Sequence, residues 1–141
     1  MEINPAVEIM ASGRVWAESV LLAVCQKLNI ELPDTIYPQI ASGFGGGMGN
    51  SGNVCGAVAG GIMALGLVLG PYESIEEKYE NVKVFNAFQA QFKEKTGAMD
   101  CRDLTGKDLF DPIQLEEFRE SDLKETVCFP AVKIAYDLVL E

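Results

Sequence analysis

The stretch between Thr35 and Tyr72 contains no charged residue, and it constrains this chain more than any other feature of the sequence. So long a segment without a charge must be buried in the domain, in a partner or in lipid. Its second half, Val54–Leu69, is almost wholly apolar. It is shorter than the ~20 residues that span a bilayer, and it has no flanking Lys or Arg. We therefore expect a buried helix and no membrane span.

The composition excludes several function classes. The 141 residues carry a net charge of −10 and include no His. A nucleic-acid-binding surface needs clustered Lys and Arg, so nucleic acid is not an expected partner. Without His, Ser-His-Asp triads and zinc sites with imidazole ligands are excluded, and thiols and carboxylates remain as reactive groups. The N-terminus has no basic region before an apolar core, which predicts no secretory signal and a cytoplasmic location where thiols stay reduced.

Helix signals recur along the chain, and strand signals are nearly absent. Asn4-Pro5 predicts the start of a helix that runs to about Leu28, with a break near Ser12-Gly13. Further helices are expected over Ile36–Ile40, Val54–Leu69, Ser74–Lys95, a short stretch after Asp111-Pro112, and Pro130–Leu140. The pattern predicts an all-α fold, a single-domain bundle over residues 1–141 with about five helices around a buried Gly/Ala-rich central helix.

The Gly-rich segment 42–53, which precedes the central helix, cannot form regular structure, and two functions fit it. Its backbone N–H groups can cradle an anionic cofactor, although the strand of a dinucleotide fold and the Lys-Ser/Thr of a P-loop are missing. The candidate cofactor-binding residues are Gly45, Gly46, Gly47 and Gly56. The favoured interpretation is steric: Gly56, Gly60 and Ala64 leave a smooth helix face that another helix or a cluster can approach closely.

The four cysteines are the candidate reactive residues, and no CxxC pair is present. Cys55, Cys101 and Cys128 each lie where a helix is expected to begin. Arg102 follows the second of them. Because a helix N-terminus favours thiolate over thiol, at least one of the three is expected to have a pKa below about 8.5. Cys25 lies in mid-helix and is expected to react slowest. For any one cysteine, the alternative is an ordinary small core residue.

Two motifs carry a resemblance to a known family. The Gly-rich run Ala41–Asn50 precedes a CGAxxG motif at Cys55–Gly60, and single cysteines follow at Cys101 and Cys128. This arrangement, which covers nearly the whole chain, resembles the redox-active protein family C_GCAxxG_C_C, whose members are defined by four cysteines. The resemblance implies a redox function that depends on these cysteines.

The first family cysteine is replaced in this chain. The family stretch N-C-A-E-S-V-L-L corresponds to Val15–Leu22, where Trp16 stands in the place of the cysteine. Cys25 lies roughly 13 Å further along the helix and on its opposite face, so it cannot substitute. With three of the four family cysteines, a four-sulfur metal site is in doubt. We expect the Trp16 indole to lie beside one of the other three, to fill the volume of a metal or cluster, and to donate its N–H to the Gly-rich loop.

Three function classes remain open, and whether the protein is an enzyme remains open with them. In the first, two of Cys55, Cys101 and Cys128 cycle between dithiol and disulfide with an unidentified redox partner protein, and the third resolves or is spare. In the second, these three thiolates hold an iron–sulfur cluster or zinc. The third is a helical interaction protein with vestigial cysteines, and a homo-oligomer is compatible with all three classes. The three sulfurs are expected at one end of the bundle, with one pair close enough to bridge.

Overall fold

The computed structural model describes residues 3–141 and shows an all-helical chain over that range. Its eight regular helices are α1 (Pro5–Ala11), α2 (Trp16–Lys27), α3 (Ile36–Ala41), α4 (Gly56–Leu69), α5 (Ile75–Thr96), α6 (Cys101–Thr105), α7 (Pro112–Glu120) and α8 (Phe129–Leu140). A 3-10 turn, Ser42–Phe44, follows α3, and a π-helical turn, Lys124–Cys128, runs directly into α8. The only extended pairing in residues 3–141 is an isolated antiparallel bridge between Val54 and Asp100. The all-α prediction is confirmed.

The number of helices exceeds the predicted five because glycines interrupt the chain. The break predicted near Ser12-Gly13 is present and separates α1 from α2, and Gly13 has a φ of 112°, in the left-handed region. α6 is a separate short helix, which Gly106 ends with a φ of 69°. Within Gly45–Met48, Gly46 and Gly47 also have positive φ, so this segment is a turn between helices.

The helix starts that were predicted from capping residues are present. The Asn4 side chain accepts hydrogen bonds from the Ala6 and Val7 N–H groups and begins α1. Ser74 accepts from the Glu77 N–H and begins α5, and Asp111 caps α7 in the same way. Each of these bonds joins residues two or three positions apart, which is why sequence alone predicts them.

The core lies where α2 packs against α4, with α8 in contact with both. A Cβ atom at Gly60 would lie 2.5 Å from the carbonyl oxygen of Ala17, and one at Gly56 would lie 3.0 Å from that of Phe44. Close helix approach therefore explains both glycines, as the steric interpretation predicts. α4 is not buried throughout, because Leu67 and Val68 in its last turn are exposed. In the described part of the chain, no helix has the length and apolarity to cross a membrane.

Candidate functional site

Two backbone hydrogen bonds bring Cys55 and Cys101 side by side. The Cys55 N–H donates to the Met99 carbonyl at 2.8 Å, and the Cys101 N–H donates to the Asn53 carbonyl at 2.7 Å. These bonds flank the isolated antiparallel bridge on both sides. Each cysteine directly follows one of the two bridged residues, which makes Cys55 and Cys101 diagonal neighbours across the bridge. In a regular ladder, such diagonal neighbours have their Cα atoms about 7–8 Å apart.

Cys128 approaches the same place from the far end of the chain. It is the last residue of the π-helical turn, in which the Phe129 N–H donates to the Lys124 carbonyl. The backbone of Cys128 is already helical, with φ −72° and ψ −44°. Cys128 was expected at a free helix N-terminus, and it does not lie at one. Cys55, by contrast, is the residue immediately before α4, and Cys101 is the first residue of α6.

The side chains of these three cysteines line one small cavity of about 10 Å³. A space of this size holds at most one water molecule. The other lining residues are Trp16, Gly46, Gly47, Gly56, Leu104, Thr105, Val127 and Ala131. All three thiols are free, and none is more than 7% exposed. The structure thus brings the three predicted cysteines together and leaves Cys25 elsewhere, hydrogen-bonded to Tyr37 within the core.

Four residues of the cavity wall were not identified from the sequence. Leu104 and Thr105 follow Cys101 by about one helical turn, which places them on its side of α6. Val127 directly precedes Cys128, and Ala131 follows it by three residues. Their spacing from a cysteine is the only sequence signal for their position.

The Gly-rich segment lies along one side of the cavity and is held by backbone hydrogen bonds within the segment. The carbonyls of Gly45, Gly46 and Gly47 accept hydrogen bonds from the N–H groups of Asn50, Gly52 and Asn53 respectively, each at 3.1 Å. A Cβ atom at Gly47 would lie 2.5 Å from the Asn53 carbonyl oxygen, so only glycine fits there. Gly46, Gly47 and Gly56 reach the cavity, whereas Gly45 packs against Val15 and Trp16. A cofactor-binding role for these glycines stays a prediction.

Trp16, the first residue of α2, contributes its indole ring to the cavity wall, as predicted. The indole N–H interacts with the Cys128 thiol, and this hydrogen bond lowers the pKa of that thiol against the larger effect of burial. The sequence predicted a carbonyl of the Gly-rich loop as the hydrogen-bond acceptor of this N–H, and that prediction is wrong. In the family that this chain resembles, the position of Trp16 holds a cysteine. Here the indole ring at that position contacts Cys128.

Burial raises the pKa of all three thiols. The pKa of Cys55 rises to about 11 and that of Cys128 to about 12, in both cases mainly because the thiolate would lose its hydration. The pKa of Cys101 is raised for the same reason, partly offset by a hydrogen bond with the Thr105 side chain. The prediction of a lowered pKa is wrong, because desolvation outweighs the helix dipole.

Repulsion between the thiolates raises the pKa values further. The three sulfurs therefore lie within electrostatic range of one another. A charge on Cys101 raises the pKa of Cys55, and charges on both raise the pKa of Cys128. Arg102 does not compensate, because its guanidinium donates to the Ser51 carbonyl at 3.2 Å. Burial raises the pKa of the Cys25 thiol too, and the expectation that Cys25 reacts slowest stays a prediction.

The cavity does not fit a zinc ion or an iron–sulfur cluster. Structural zinc takes four ligands, and a cluster is held by four thiolates. Here three thiols surround about 10 Å³ of space, with an indole in the wall. From residue 3 to the C-terminus, no three Cys, Asp or Glu side chains are grouped so as to hold a metal ion. The contacts at this site therefore give the metal interpretation of Cys55, Cys101 and Cys128 no support.

Comparison with known proteins identifies the family of this chain. A family model described as "Putative redox-active protein (C_GCAxxG_C_C)" matches residues 16–141. The chain belongs to this family. An uncharacterised protein of Archaeoglobus fulgidus is 29% identical over 143 residues, which cover 96% of this chain and 88% of that protein. No solved structure matches the chain. The match to the C_GCAxxG_C_C model begins at Trp16, the position aligned above with the first family cysteine, and includes all three cavity cysteines.

Proposed function

We propose that this protein is a two-electron thiol carrier in which Cys55 and Cys101 cycle between dithiol and disulfide. The observation that carries the proposal is the pair of backbone hydrogen bonds, of 2.8 and 2.7 Å, that fix these two cysteines as diagonal neighbours across the same bridge. Oxidation removes two electrons and two protons from the pair and forms one S–S bond. The family description, "Putative redox-active protein (C_GCAxxG_C_C)", supports the same chemistry.

The positions of the two cysteines beside the bridge suit a bond that forms and breaks. Diagonal neighbours in a regular ladder have Cα atoms about 7–8 Å apart, and disulfides need about 4.4–6.8 Å. Closing the bond from such a spacing requires the two segments to approach each other. A disulfide that needs such a shift is more readily reduced than a relaxed structural one.

Cys128 is the third thiol of the proposed site. It lies within electrostatic range of both other sulfurs, and its pKa of about 12 keeps it protonated at neutral pH. When its thiolate forms, it can attack the Cys55–Cys101 disulfide and transfer the bond to itself, which releases one cysteine of the pair. A role in resolving the disulfide thus fits Cys128 better than a role as the first nucleophile.

Disulfide mapping tests the assignment of the pair. The reduced protein is oxidised with diamide, remaining thiols are alkylated, and peptides are read by mass spectrometry. The wild-type protein and the Cys128→Ser variant are expected to form one Cys55–Cys101 disulfide. Cys55→Ser and Cys101→Ser are expected to lose it. Cys25→Ser is the matched control, because Cys25 is equally buried but lies outside the cavity, and it is expected to behave as wild type.

Two results would contradict the proposal. The first is a folded wild-type protein that forms no disulfide within the cavity under any of these conditions. The second is stoichiometric iron or zinc in protein purified without oxygen, lost in Cys128→Ser and retained in Cys25→Ser. That second result would establish the metal-binding function in place of thiol chemistry.

A further inference from the structure

An open groove of about 400 Å³ lies directly against the cysteine cavity. The groove and the cavity share three lining residues, Leu104, Val127 and Ala131. A single layer of side chains therefore separates the buried thiols from solvent at this point. Leu104 and Val127 are only half-buried, whereas Ala131 is almost fully buried, so the first two are the parts of this wall that can move.

The groove also carries opposite charges at its rim. Lys95 and Asp103 both line it, together with the hydroxyl-bearing residues Thr96 and Thr126. Both charged residues are exposed, and among the described residues neither takes part in a salt bridge. A volume of about 400 Å³ is in the range of pockets that bind small molecules, about 300–1,000 Å³. An ammonium and a carboxylate that line one such groove are complementary to a molecule that carries both charges.

We propose that this groove binds a low-molecular-weight disulfide with amino-acid ends, which reaches Cys101 by displacing Leu104 and Val127. The inference rests on the thiol function proposed above and names its substrate class. Lys95 pairs with a carboxylate of the substrate, and Asp103 pairs with its ammonium group. A small disulfide suits this site better than a protein disulfide, because a groove of about 400 Å³ matches the size of a small molecule and not that of a folded chain.

The reaction balances in two exchange steps. Cys101, one helical turn before Leu104, loses its proton and attacks one sulfur of the substrate. The S–S bond of the substrate breaks, and the first small thiol leaves after taking up a proton. Cys55 then loses its proton and attacks the Cys101 sulfur, which forms the Cys55–Cys101 disulfide and releases the second small thiol with a proton. Two electrons pass from the dithiol to the substrate, and the reverse sequence reduces the protein.

The experiment compares two disulfide probes on the reduced full-length protein. Cystine carries the required charges, and bis(2-hydroxyethyl) disulfide carries none. Rates of Cys55–Cys101 disulfide formation are read by rapid acid quench and mass spectrometry. Lys95→Gln and Asp103→Asn are each expected to lower the ratio of the cystine rate to the hydroxyethyl disulfide rate by about two- to fivefold, the range for an exposed ion pair. Lys27→Gln, which removes an exposed lysine at the end of α2, is expected to leave this ratio unchanged.

The wall is tested separately. Val127→Ala is expected to raise the rates with both probes several-fold, and Val127→Phe to lower both. If Val127→Phe does not fold, Val127→Ile replaces it, because the added methyl group narrows the route past residue 127 to a smaller extent. Wild-type rate ratios in both charge variants would overturn the assignment of the groove, and unchanged rates in the Val127 variants would overturn the route. In either case diamide still oxidises the pair, so the proposed thiol function survives. Failure of diamide to form the disulfide in folded wild-type protein would instead refute that function and this inference together.

Discussion

Replacing Gly60 by Ala is expected to destabilise the protein, whereas the same replacement at Gly66 in the same helix is expected to stabilise it. A Cβ atom at Gly60 would lie 2.5 Å from the Ala17 carbonyl oxygen and 2.8 Å from the Ala17 Cα. These are backbone atoms of α2, which cannot rotate away as a side chain can. At Gly66 an added Cβ would meet no heavy atom within 4 Å.

The two variants are expected to differ in free energy of unfolding by about 2–4 kcal/mol. Favourable contacts between heavy atoms lie at about 3.5–4.0 Å, so α2 and α4 must separate by about 1 Å to accept the methyl group at Gly60. Overpacking of this kind costs about 1–3 kcal/mol. In an open helical position, Ala is instead favoured over Gly by roughly 0.5–1 kcal/mol, because it loses less backbone entropy on folding. The Gly66→Ala variant therefore measures the helix-propensity gain without the clash.

Urea unfolding curves of the two variants and the wild type provide the measurement. Intrinsic fluorescence gives a second readout at the site, because the chain has one Trp and Trp16 directly precedes Ala17. A displaced α2 is expected to shift the emission of the folded Gly60→Ala variant, and Gly66→Ala is expected to match the wild type. Equal stability of the two variants would refute the steric explanation of the last glycine in the CGAxxG motif.

Two further predictions concern the thiols and the cavity. The contribution of Cys55 to the free energy of unfolding is expected to be constant below about pH 9 and to be lost between about pH 9 and pH 11, because unfolded Cys55 ionises at its ordinary pKa of 9.0 while folded Cys55 keeps its proton up to about pH 11. At about 1.4 kcal/mol per pH unit this thiol alone accounts for about 3 kcal/mol, and unfolding curves of Cys55→Ala against pH should be correspondingly flatter. Trp16→Cys, produced without oxygen in the presence of iron and sulfide, is expected to bind more metal than the parent because it adds a fourth thiol and opens space. Metal analysis decides this after a check of folding, because loss of the partly buried ring costs up to ~3–5 kcal/mol. Equal metal content in variant and parent would count against a metal site built on this position.

The parts of this fold that could be predicted from sequence are those decided by neighbouring residues. Asn4, Ser74 and Asp111 cap their helices through bonds to residues two or three positions away, and each predicted start is present. The four-residue spacing of Gly56 and Gly60 likewise predicts a smooth face without reference to the rest of the chain. The division of residues 1–141 into a single domain, the cytoplasmic location, a redox partner protein and homo-oligomer formation are not addressed by the helices and stay predictions.

The electrostatics of the cysteines could not be predicted in this way, because they depend on contacts between distant segments. Cys55 and Cys101 meet through bonds that join residues more than forty positions apart in the chain. Only once these segments pair, and Trp16 and the π-helical turn cover them, do the thiols lose water. A helix N-terminus lowers a thiol pKa when solvent or a cation shares the site; here burial is the larger effect, and it has the opposite sign.

The replacement of a family cysteine by Trp16 changes how the remaining thiols can be controlled. Trp16 lines the cavity, and burial holds the pKa of Cys55 near 11 and that of Cys128 near 12, although the hydrogen bond from the indole lowers the pKa of Cys128. At neutral pH only about one thiol in ten thousand is ionised at a pKa of 11, so the closed cavity is expected to slow oxidation of the dithiol without preventing it. Under the proposed thiol function, reactivity then depends on opening the wall at Leu104 and Val127, since water that enters with the substrate lowers the cost of forming a thiolate. The reactivity of the cavity thiols is thus controlled by access to the cavity and not by a permanently activated cysteine.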